Sequence, residues 1–162
     1  MGTAPWKAKP VNELEPMGIA LEEAHAALHH GDVPVGAVVV SLDSGEVLAR
    51  RHNERELTGD PTAHAEVLAM RDAARGLGTW RLDACALVVT IEPCPMCAGA
   101  ALAGRVTRIV FGAADPKAGA CGSLYNLAAD PRLNHEIELV DGVRAEEAAA
   151  LLAEFFSDRR RA

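Results

Sequence analysis

The stretch that decides the fold is ALVVTIEPCPMCAGAALAGRVTRIVFG, which runs from Ala86 to Gly112. It begins with a continuous apolar run, ALVVT, which is typical of a strand covered on both faces. A helix of small residues, CAGAALAG, follows and ends at Gly104, and RIVFG then repeats the strand pattern. A strand, helix, strand unit favours parallel pairing through a right-handed crossover. The stretch therefore predicts the parallel part of a sheet.

Upstream of this stretch the sequence predicts one helix and one hairpin. Apolar residues recur at helical spacing from Met17 to Leu28, and Gly31 is suited to end the helix. Two apolar and β-branched runs, VGAVVVS and EVLARR, lie on either side of a short turn at 42–45. They predict two antiparallel strands.

Between the hairpin and the central stretch the pattern predicts a polar loop and a second helix. The loop covers Asn53 to Gly59. Asp60 is suited to cap the helix, because Pro61 can occupy the first helical position, where a missing N–H costs nothing. The helix is predicted to run to about Arg75.

After the central stretch the sequence predicts a glycine-rich loop at 113–123, a short helix at 124–129, the strand EIELV and a last helix at 145–159. The complete prediction is an α/β domain over 16–162, with a mixed sheet of about five strands sandwiched by helices. Residues 1–15 are rich in proline and lack periodicity, so we expect a disordered or extended lead.

Composition narrows the classes of function. No run reaches the roughly 18 apolar residues of a membrane span, and the first twenty residues lack the apolar core of a secretory signal. We therefore expect a cytoplasmic protein. The net charge of −7 counts against a broad grip on nucleic acid, since clustered Lys and Arg usually bind phosphate. Any site for a polyanion must be local.

Two short motifs carry ligands of the kind that bind metals. DPTAHAEVLAM contains His64, and EPCPMC contains Cys94 and Cys97, each at the predicted start of a helix. Helix N-termini favour thiolates, which are the form of cysteine that binds a metal. One His and two Cys leave the fourth tetrahedral position of zinc open, which is typical of a catalytic site. The sequence predicts one zinc ion per chain, with a bound water whose pKa falls to roughly 7.

Glu66 is the candidate for moving protons at this site. It lies two residues from His64, and this spacing turns the two side chains to different sides of a helix. Glu66 is therefore poorly placed as a fourth ligand and suits a proton shuttle.

Three other interpretations of these motifs remain open. A lone His at a helix start is often a cap, and a Cys-x-x-Cys pair after a strand can be a thioredoxin-like redox pair. A structural zinc site would need a fourth protein ligand. The candidates for that ligand are Cys85, Cys121, His52 and His135. Cys85 and Cys121 are more simply a buried small hydrophobe and a loop residue.

The pattern H-x-E followed by P-C-x-x-C is the signature of the zinc-dependent nucleobase deaminases. Further segments between Met17 and Arg161 resemble the bacterial tRNA-specific adenosine deaminases in order, among them VPVGAVVV, HNE, WRLDACALVVT, RIVFGAADPKAGACGSLYNL and LLAEFFSDRRR. This resemblance implies the cytidine deaminase-like three-layer α/β/α sandwich and a homodimer. It also implies deamination of adenosine to inosine at the wobble position of a tRNA anticodon, typically that of the arginine tRNA.

The resemblance assigns roles to individual residues. His64, Cys94 and Cys97 match the zinc ligands, and Glu66 matches the proton shuttle. The residues that match substrate contacts are Asn53 for the flipped base, Asp115 and Lys117 for a loop beside the substrate, and Phe155 and Phe156 for a C-terminal pair near the anticodon stem-loop. Without the resemblance Asn53 reads as a turn residue and the Phe pair as core. We expect at least one Phe to be packed.

Two other functions compete with this one. Guanine, cytosine and nucleoside deaminases share the zinc motif, so a free-base or nucleoside substrate is the main alternative. An inactive deaminase-like subunit would usually have lost its glutamate, and Glu66 is present. For RNA we expect a local basic face, drawn from Arg105, Arg108, Lys117, Arg159, Arg160 and Arg161. The alternative for the arginine tail is a solvated helix end favoured by the macrodipole.

Overall fold

The computed structural model describes residues 12–161, so residues 1–11 of the predicted lead lie outside the described residues. The helices are α1 Leu14–Ala27, α2 Arg55–Thr58, α3 Ala65–Leu77, α4 Pro95–Ala103 and α5 Ala145–Arg161. The strands are β1 Gly36–Ser41, β2 Val47–His52, β3 Cys85–Ile91, β4 Arg108–Ala113 and β5 Glu138–Val140. Within this part of the chain no helix combines the length and apolar character that crossing a membrane requires.

The five strands form one mixed sheet in the order β2-β1-β3-β4-β5. β1 pairs antiparallel with both β2 and β3. β3, β4 and β5 pair in parallel, as a strand, helix, strand unit requires. The predicted hairpin, the parallel unit and the five-stranded mixed sheet are all confirmed.

Helices cover both faces of the sheet. Side chains alternate along a strand, so Leu87 and Val89 of β3 belong to one apolar cluster and Val88 belongs to the other. The first cluster is closed by small residues of α3 and α4, and the second by residues of α1 and α5. The fold is therefore the expected three-layer α/β/α sandwich.

Gly36 lets α1 approach the sheet closely. A Cβ atom placed on Gly36 would lie 1.8 Å from the carbonyl oxygen of Ala20. No side chain fits in that space, so glycine at the start of β1 is a requirement of the packing of α1 against the sheet.

The start of α3 differs from the prediction. The helix begins at Ala65, and Asp60 instead accepts a hydrogen bond from Thr62 N at 2.8 Å in a local turn. Asp followed by Pro and Thr suits such a turn as well as a helix start, and the hydrophobic period does not distinguish the two. His64 is therefore the residue that precedes the helix, rather than part of its first turn.

Three smaller boundaries also differ. α1 begins at Leu14, so residues 14 and 15 of the predicted lead are helical. The predicted loop at 53–59 contains the short helix α2, which ends at Gly59 in the left-handed conformation. The short helix predicted at 124–129 is only a 3₁₀ turn at 127–129. Each difference involves about one helical turn or less, which is too short to show a hydrophobic period.

Candidate metal centre and active site

The predicted ligands meet where β3 ends and two helices begin. His64 has extended backbone dihedrals and occupies the N-cap position of α3. Cys94 does the same for α4, with Pro95 at the first helical position, and Cys97 lies in the first turn. Both helices therefore direct their N-terminal N–H groups and the positive end of their dipoles toward one point.

The distances between the ligand atoms fit a tetrahedral metal ion. His64 Nδ1 lies 3.6 Å from Cys94 Sγ and 3.5 Å from Cys97 Sγ. Bonds of about 2.0 Å to nitrogen and about 2.3 Å to sulfur at a tetrahedral ion would place N and S about 3.5 Å apart. The three side chains could hold a metal ion without rearrangement, and they leave one position open.

A fourth protein ligand is not present among the described residues. All ligand atoms of the His64, Cys94 and Cys97 group lie within 4.8 Å of one another, and no other His, Cys, Asp or Glu in 12–161 joins it. Cys85 is hydrogen-bonded to Asp83 O, and His52 to Glu23. The structure therefore does not support the alternative of a four-ligand structural zinc.

Negative charge concentrates on one of the two thiols. Hydrogen bonds from the Cys97 thiol and from His64 lower the pKa of Cys94 to about 4. The hydrogen bond to Cys94, together with burial, raises the pKa of Cys97. The hydrogen bond to Cys94 raises the pKa of His64. A thiolate stabilised in this way is the form that binds a soft divalent metal.

Glu66 lies beside this group in the first turn of α3. Its side chain is only 3% exposed, and it lines the cavity next to the ligands without belonging to the ligand group. Burial raises the pKa of the Glu66 carboxyl. Glu66 is therefore a buried carboxyl group in the wall of the same cavity as the ligand group, and its role as a proton shuttle stays a prediction.

A cavity of about 730 Å³ opens above the ligand group. Its volume lies within the range of small-molecule sites, which is roughly 300 to 1,000 Å³. The polar and charged side chains that line it are Asn53, Arg55, His64, Glu66, Glu92, Asp115, Lys117, Arg159 and Arg160. Glu66 and Glu92 are buried, whereas the four basic side chains are exposed, so the cavity is acidic at its floor and largely basic at its mouth.

Asn53 lines the cavity and also stabilises a turn. Its Nδ2 donates to Val33 O at 3.3 Å, and its Oδ1 accepts from Arg55 N at 3.3 Å, beside the start of α2. The turn interpretation and the binding interpretation therefore apply to the same side chain, which is held rigidly at the cavity wall.

Asp115 and Lys117 lie together in the loop after β4, and both line the cavity. Asp115 Oδ1 accepts hydrogen bonds from Lys117 N at 3.0 Å and from Ala118 N at 3.2 Å. The structure thus brings both predicted loop residues to the site, with the Asp115 carboxylate also shaping the loop.

The two phenylalanines have different positions. Phe156 is 45% exposed and lines the cavity. Phe155 is buried, with Arg159 Cζ 4.5 Å from its ring centroid, and it does not reach the cavity. The expectation that one Phe is packed is confirmed, and of the two predicted substrate contacts only Phe156 lines the cavity. Consecutive residues on a helix point about 100° apart, so only one of the pair can face the cavity.

The predicted basic face is also corrected in part. Lys117, Arg159 and Arg160 line the cavity, but Arg105 and Arg108 do not. Arg108 is buried in an ion pair with Glu138 at 2.9 Å, and Arg105 donates to Leu102 O at the opposite end of α4. Sequence shows that a residue is basic but not at which end of the sheet it lies.

Two cavity residues were missed by reasoning from the sequence. Arg55 lines the cavity because the predicted loop folds into α2. Glu92, although part of EPCPMC, received no role. Its position between a buried strand and a Pro-Cys pair could have predicted a role, because a charged residue at a buried position is rarely left without partners.

Comparison with known proteins agrees with this geometry. The family model described as MafB19-like deaminase matches residues 11–160. The tRNA-specific adenosine deaminase of Bacillus subtilis (strain 168) is 49% identical, and the match covers 88% of this chain and 87% of that protein. A protein of Deinococcus radiodurans named tRNA(Ile)-lysidine synthase is 52% identical, but this chain spans only 25% of its length.

Two solved structures are similar as well. One comes from studies of A-to-I editing by tRNA:A34 deaminases at the wobble position of transfer RNA; it has a TM-score of 0.81 and 40% identity and covers 85% of this chain and 99% of that chain. Another is a guanine deaminase from Nitrosomonas europaea, with a TM-score of 0.76, 29% identity and coverage of 96% and 94%. The chain therefore belongs to the MafB19-like deaminase family and, at 49% identity over most of its length, to the tRNA-specific adenosine deaminases.

Proposed function

We propose that this protein converts adenosine to inosine by hydrolytic deamination at the wobble position of a tRNA anticodon, with an arginine tRNA as substrate, and that residues 16–162 act as a single deaminase domain. The observation that carries the proposal is the buried Glu66 beside the His64, Cys94 and Cys97 group, at the floor of a cavity of about 730 Å³. Relatives at 44 to 49% identity are named for this activity.

The proposed cofactor is one zinc ion per chain, held by His64, Cys94 and Cys97. The support is the fit of the Nδ1 to Sγ distances and the mixed nitrogen and sulfur ligands, which suit zinc. When bound, zinc supplies Lewis-acid activation of a water molecule at neutral pH.

Glu66 is the proposed general acid and base. Its carboxylate accepts a proton from the attacking water and delivers it to the ring nitrogen; it then takes the proton of the hydroxyl added to the carbon and delivers it to the leaving amine. The balance is one adenosine and one water consumed, and one inosine and one ammonia released. Burial keeps these protons away from bulk water, because only 3% of Glu66 is exposed.

Asn53 is the proposed contact to the base. Its amide is fixed by Val33 O and by Arg55 N, which makes it a preorganised wall for a flat ring. A base enters such a cavity only after it leaves its stack, and this costs least in a single-stranded loop. An anticodon loop meets that condition.

The mouth of the cavity is the proposed site for the RNA backbone. Arg55, Lys117, Arg159 and Arg160 surround it, and Phe156 offers an exposed ring for stacking. This basic rim is local, which fits a chain whose net charge is −7. The anticodon stem-loop is therefore the proposed partner.

A homodimer and a cytoplasmic location complete the proposal. Both are supported by the resemblance of the sequence to bacterial tRNA-specific adenosine deaminases. Light scattering during size-exclusion chromatography measures the mass of the particle. A mass of one chain at micromolar concentration would contradict the dimer.

A free purine base is the second candidate substrate. It is favoured by the similarity of the fold to a guanine deaminase, which covers most of both chains. A site for a free base has no use for a basic rim, so the four cationic side chains at the mouth favour RNA.

A direct assay separates the two substrates. Purified zinc-loaded protein is incubated with a tRNA transcript, the same transcript with guanosine at the wobble position, guanine, cytosine and cytidine. We expect inosine in the first RNA alone and ammonia from none of the small molecules. Release of ammonia from guanine without inosine in the RNA would replace the proposal with the alternative.

A further inference from the structure

Glu92 is a buried carboxylate that the proposed chemistry does not use. It follows β3 directly, and its backbone N donates to Ala113 O at 2.8 Å, so β3 and β4 stay together as they leave the sheet. Its side chain is 3% exposed and lies two residues before Cys94.

Four donors converge on this carboxylate, and all of them come from the loop after β4. Oε1 accepts from Asp115 N at 3.2 Å and from the Ser123 hydroxyl. Oε2 accepts from Cys121 N at 3.0 Å and from Ser123 N at 3.1 Å. One side chain therefore fastens residues 115 and 123, the two ends of the loop.

These donors are the means by which the charge of Glu92 is stabilised. Among residues 12–161 no Lys or Arg forms an ion pair with it, so the hydrogen bonds from Asp115, Cys121 and Ser123 are what offset the burial of its charge. Removing the carboxylate would leave buried N–H groups without a partner, which is costly.

The loop is also packed tightly around the carboxylate. A Cβ atom on Gly119 would lie 2.2 Å from Glu92 Oε2. Ala120 N donates to Pro93 O at 2.8 Å, which ties the loop to the residue beside Cys94. The loop can follow this path only when position 119 has no side chain.

Both cavity residues of the loop depend on this anchor. Asp115 is held through its own N–H by Glu92, and Asp115 Oδ1 in turn binds Lys117 N. We infer that Glu92 is a positioning residue, which holds residues 115–123 over the cavity so that Asp115 and Lys117 face the substrate. This inference rests on the proposed function only for the identity of the substrate; the anchoring of the loop by Glu92 does not depend on it.

Glu92 acts through the loop rather than on the reacting atoms. Each of its oxygens already accepts two hydrogen bonds, so neither is free to bind or deprotonate a base. Glu66, by contrast, is the carboxylate beside the ligand group. A change at Glu92 should therefore alter the binding of substrate more than its turnover.

The test uses Glu92→Gln in the zinc-loaded, full-length protein. The amide keeps the size of the side chain but replaces one acceptor with a donor that faces N–H groups. Hydrogen exchange without RNA should rise in 115–123 and stay unchanged in α3 and α5, and zinc per chain should stay at the wild-type value. KM for an anticodon stem-loop should rise about tenfold or more, with a smaller change in kcat.

Two further variants complete the design. Gly119→Ala displaces the loop while it leaves the carboxylate intact, and it should reproduce the exchange and KM pattern even if Glu92→Gln fails to fold. Glu138→Gln is the matched control, because Glu138 lies on β5 outside the cavity and its carboxylate binds Arg108 of β4. It should change neither the exchange of 115–123 nor KM.

The inference fails if exchange in 115–123 is the same in both loop variants and the wild type, or if kcat falls while KM holds. Exchange is measured without substrate, so it remains decisive even if the wild type does not deaminate tRNA. A wild-type protein that does not deaminate tRNA would overturn the proposed function but not the role of Glu92.

Discussion

Glu66 lies in the first turn of α3, where it lines the cavity beside the ligand group and burial isolates it from solvent. A glutamate in this position can carry a proton between water and a base without competing for the metal. The proposed role requires a carboxylate, because the amide of glutamine has the same shape but cannot accept and return a proton.

Glu66→Gln should therefore retain zinc and RNA binding while turnover falls by roughly 10²- to 10⁴-fold, the usual contribution of a general acid and base. Zinc per chain, a binding titration and single-turnover rates measure the three quantities. Loss of zinc in this variant would mean that Glu66 is a ligand.

Cys94→Ser and Cys97→Ser should each lose most of the bound zinc, because an alcohol is a far weaker ligand than a thiolate. Cys85→Ser is the control, since Cys85 is buried at the start of β3 outside the ligand group. Elemental analysis after dialysis should give about one zinc per chain for wild type and for the control. Equal zinc in all four proteins would refute the site.

At the scale of elements, α2 is a four-residue helix that cannot be stable by itself. Asp32, which is 1% exposed, accepts hydrogen bonds from Glu56 N at 2.7 Å and Leu57 N at 3.1 Å. It therefore holds α2, and with it Arg55, at the cavity. His30 Nδ1 shares the same carboxylate at 2.6 Å.

Asp32→Asn should lower the free energy of unfolding by about 1 to 2 kcal/mol at neutral pH, the usual cost of a lost cap. Burial raises the pKa of the Asp32 carboxyl, but hydrogen bonds from Glu56 N, Leu57 N and His30 outweigh it, and the net pKa lies below its ordinary value. The contribution of a group with a lowered folded pKa is present above the unfolded pKa, about 3.9, and is lost as pH falls through the folded value.

Urea unfolding of wild type and Asp32→Asn, from about pH 7 to about pH 3, measures this difference. It should be largest near neutrality and shrink below about pH 4. A difference that grows in acid would show that the charge of Asp32 is not what stabilises α2.

The contact between α1 and β1 gives another prediction at this scale. Gly36→Ala should lower the free energy of unfolding by about 3 kcal/mol or more, because its Cβ would overlap the Ala20 carbonyl. Gly76→Ala is the matched control; it lies in α3 with open space around the added Cβ, and it should stabilise by up to about 1 kcal/mol. Similar midpoints of thermal unfolding for both variants would contradict this packing.

For the whole molecule, the question is how a chain of net charge −7 binds a polyanion. Within residues 12–161, most basic side chains away from the cavity form ion pairs, for example Arg50 with Glu22 and Glu23. The basic side chains at the cavity mouth, Arg55, Lys117, Arg159 and Arg160, instead offer their positive charge to a ligand bound at that one site. RNA binding should therefore involve few phosphates and depend weakly on salt.

Arg160→Ala should weaken binding of an anticodon stem-loop and reduce the log–log salt slope by about 0.7, the value for one single-strand phosphate contact. Arg161→Ala, the next residue on the same helix, does not line the cavity and is the control. Truncation after Ser157 is a less clean test, because Arg159 also donates to Gly31 O and lies over Phe155. Identical salt slopes for the two variants would mean that the arginine tail is a solvated helix end that does not contact RNA.

The sequence by itself determined the elements and the chemistry of the centre. β3, α4 and β4 follow from runs of apolar residues, and His64, Cys94 and Cys97 are recognisable because each lies a few residues from a helix start. These signals are local, since hydrophobic period and capping chemistry depend on neighbours within one or two turns. Local signals also explain the errors, because the start of α3 and the presence of α2 depend on single polar turns.

Only the tertiary structure decided which side chains share the cavity. Arg108 and Arg160 are equally basic in sequence, but one is buried against Glu138 and the other lines the mouth. Phe155 and Phe156 are adjacent, and only the position of α5 on the sheet sends one inward and the other to the cavity. Asp32 and Glu92 bind groups more than twenty residues away in sequence. Their roles arise from contacts between distant segments, and these contacts form only when helices and strands pack into one core.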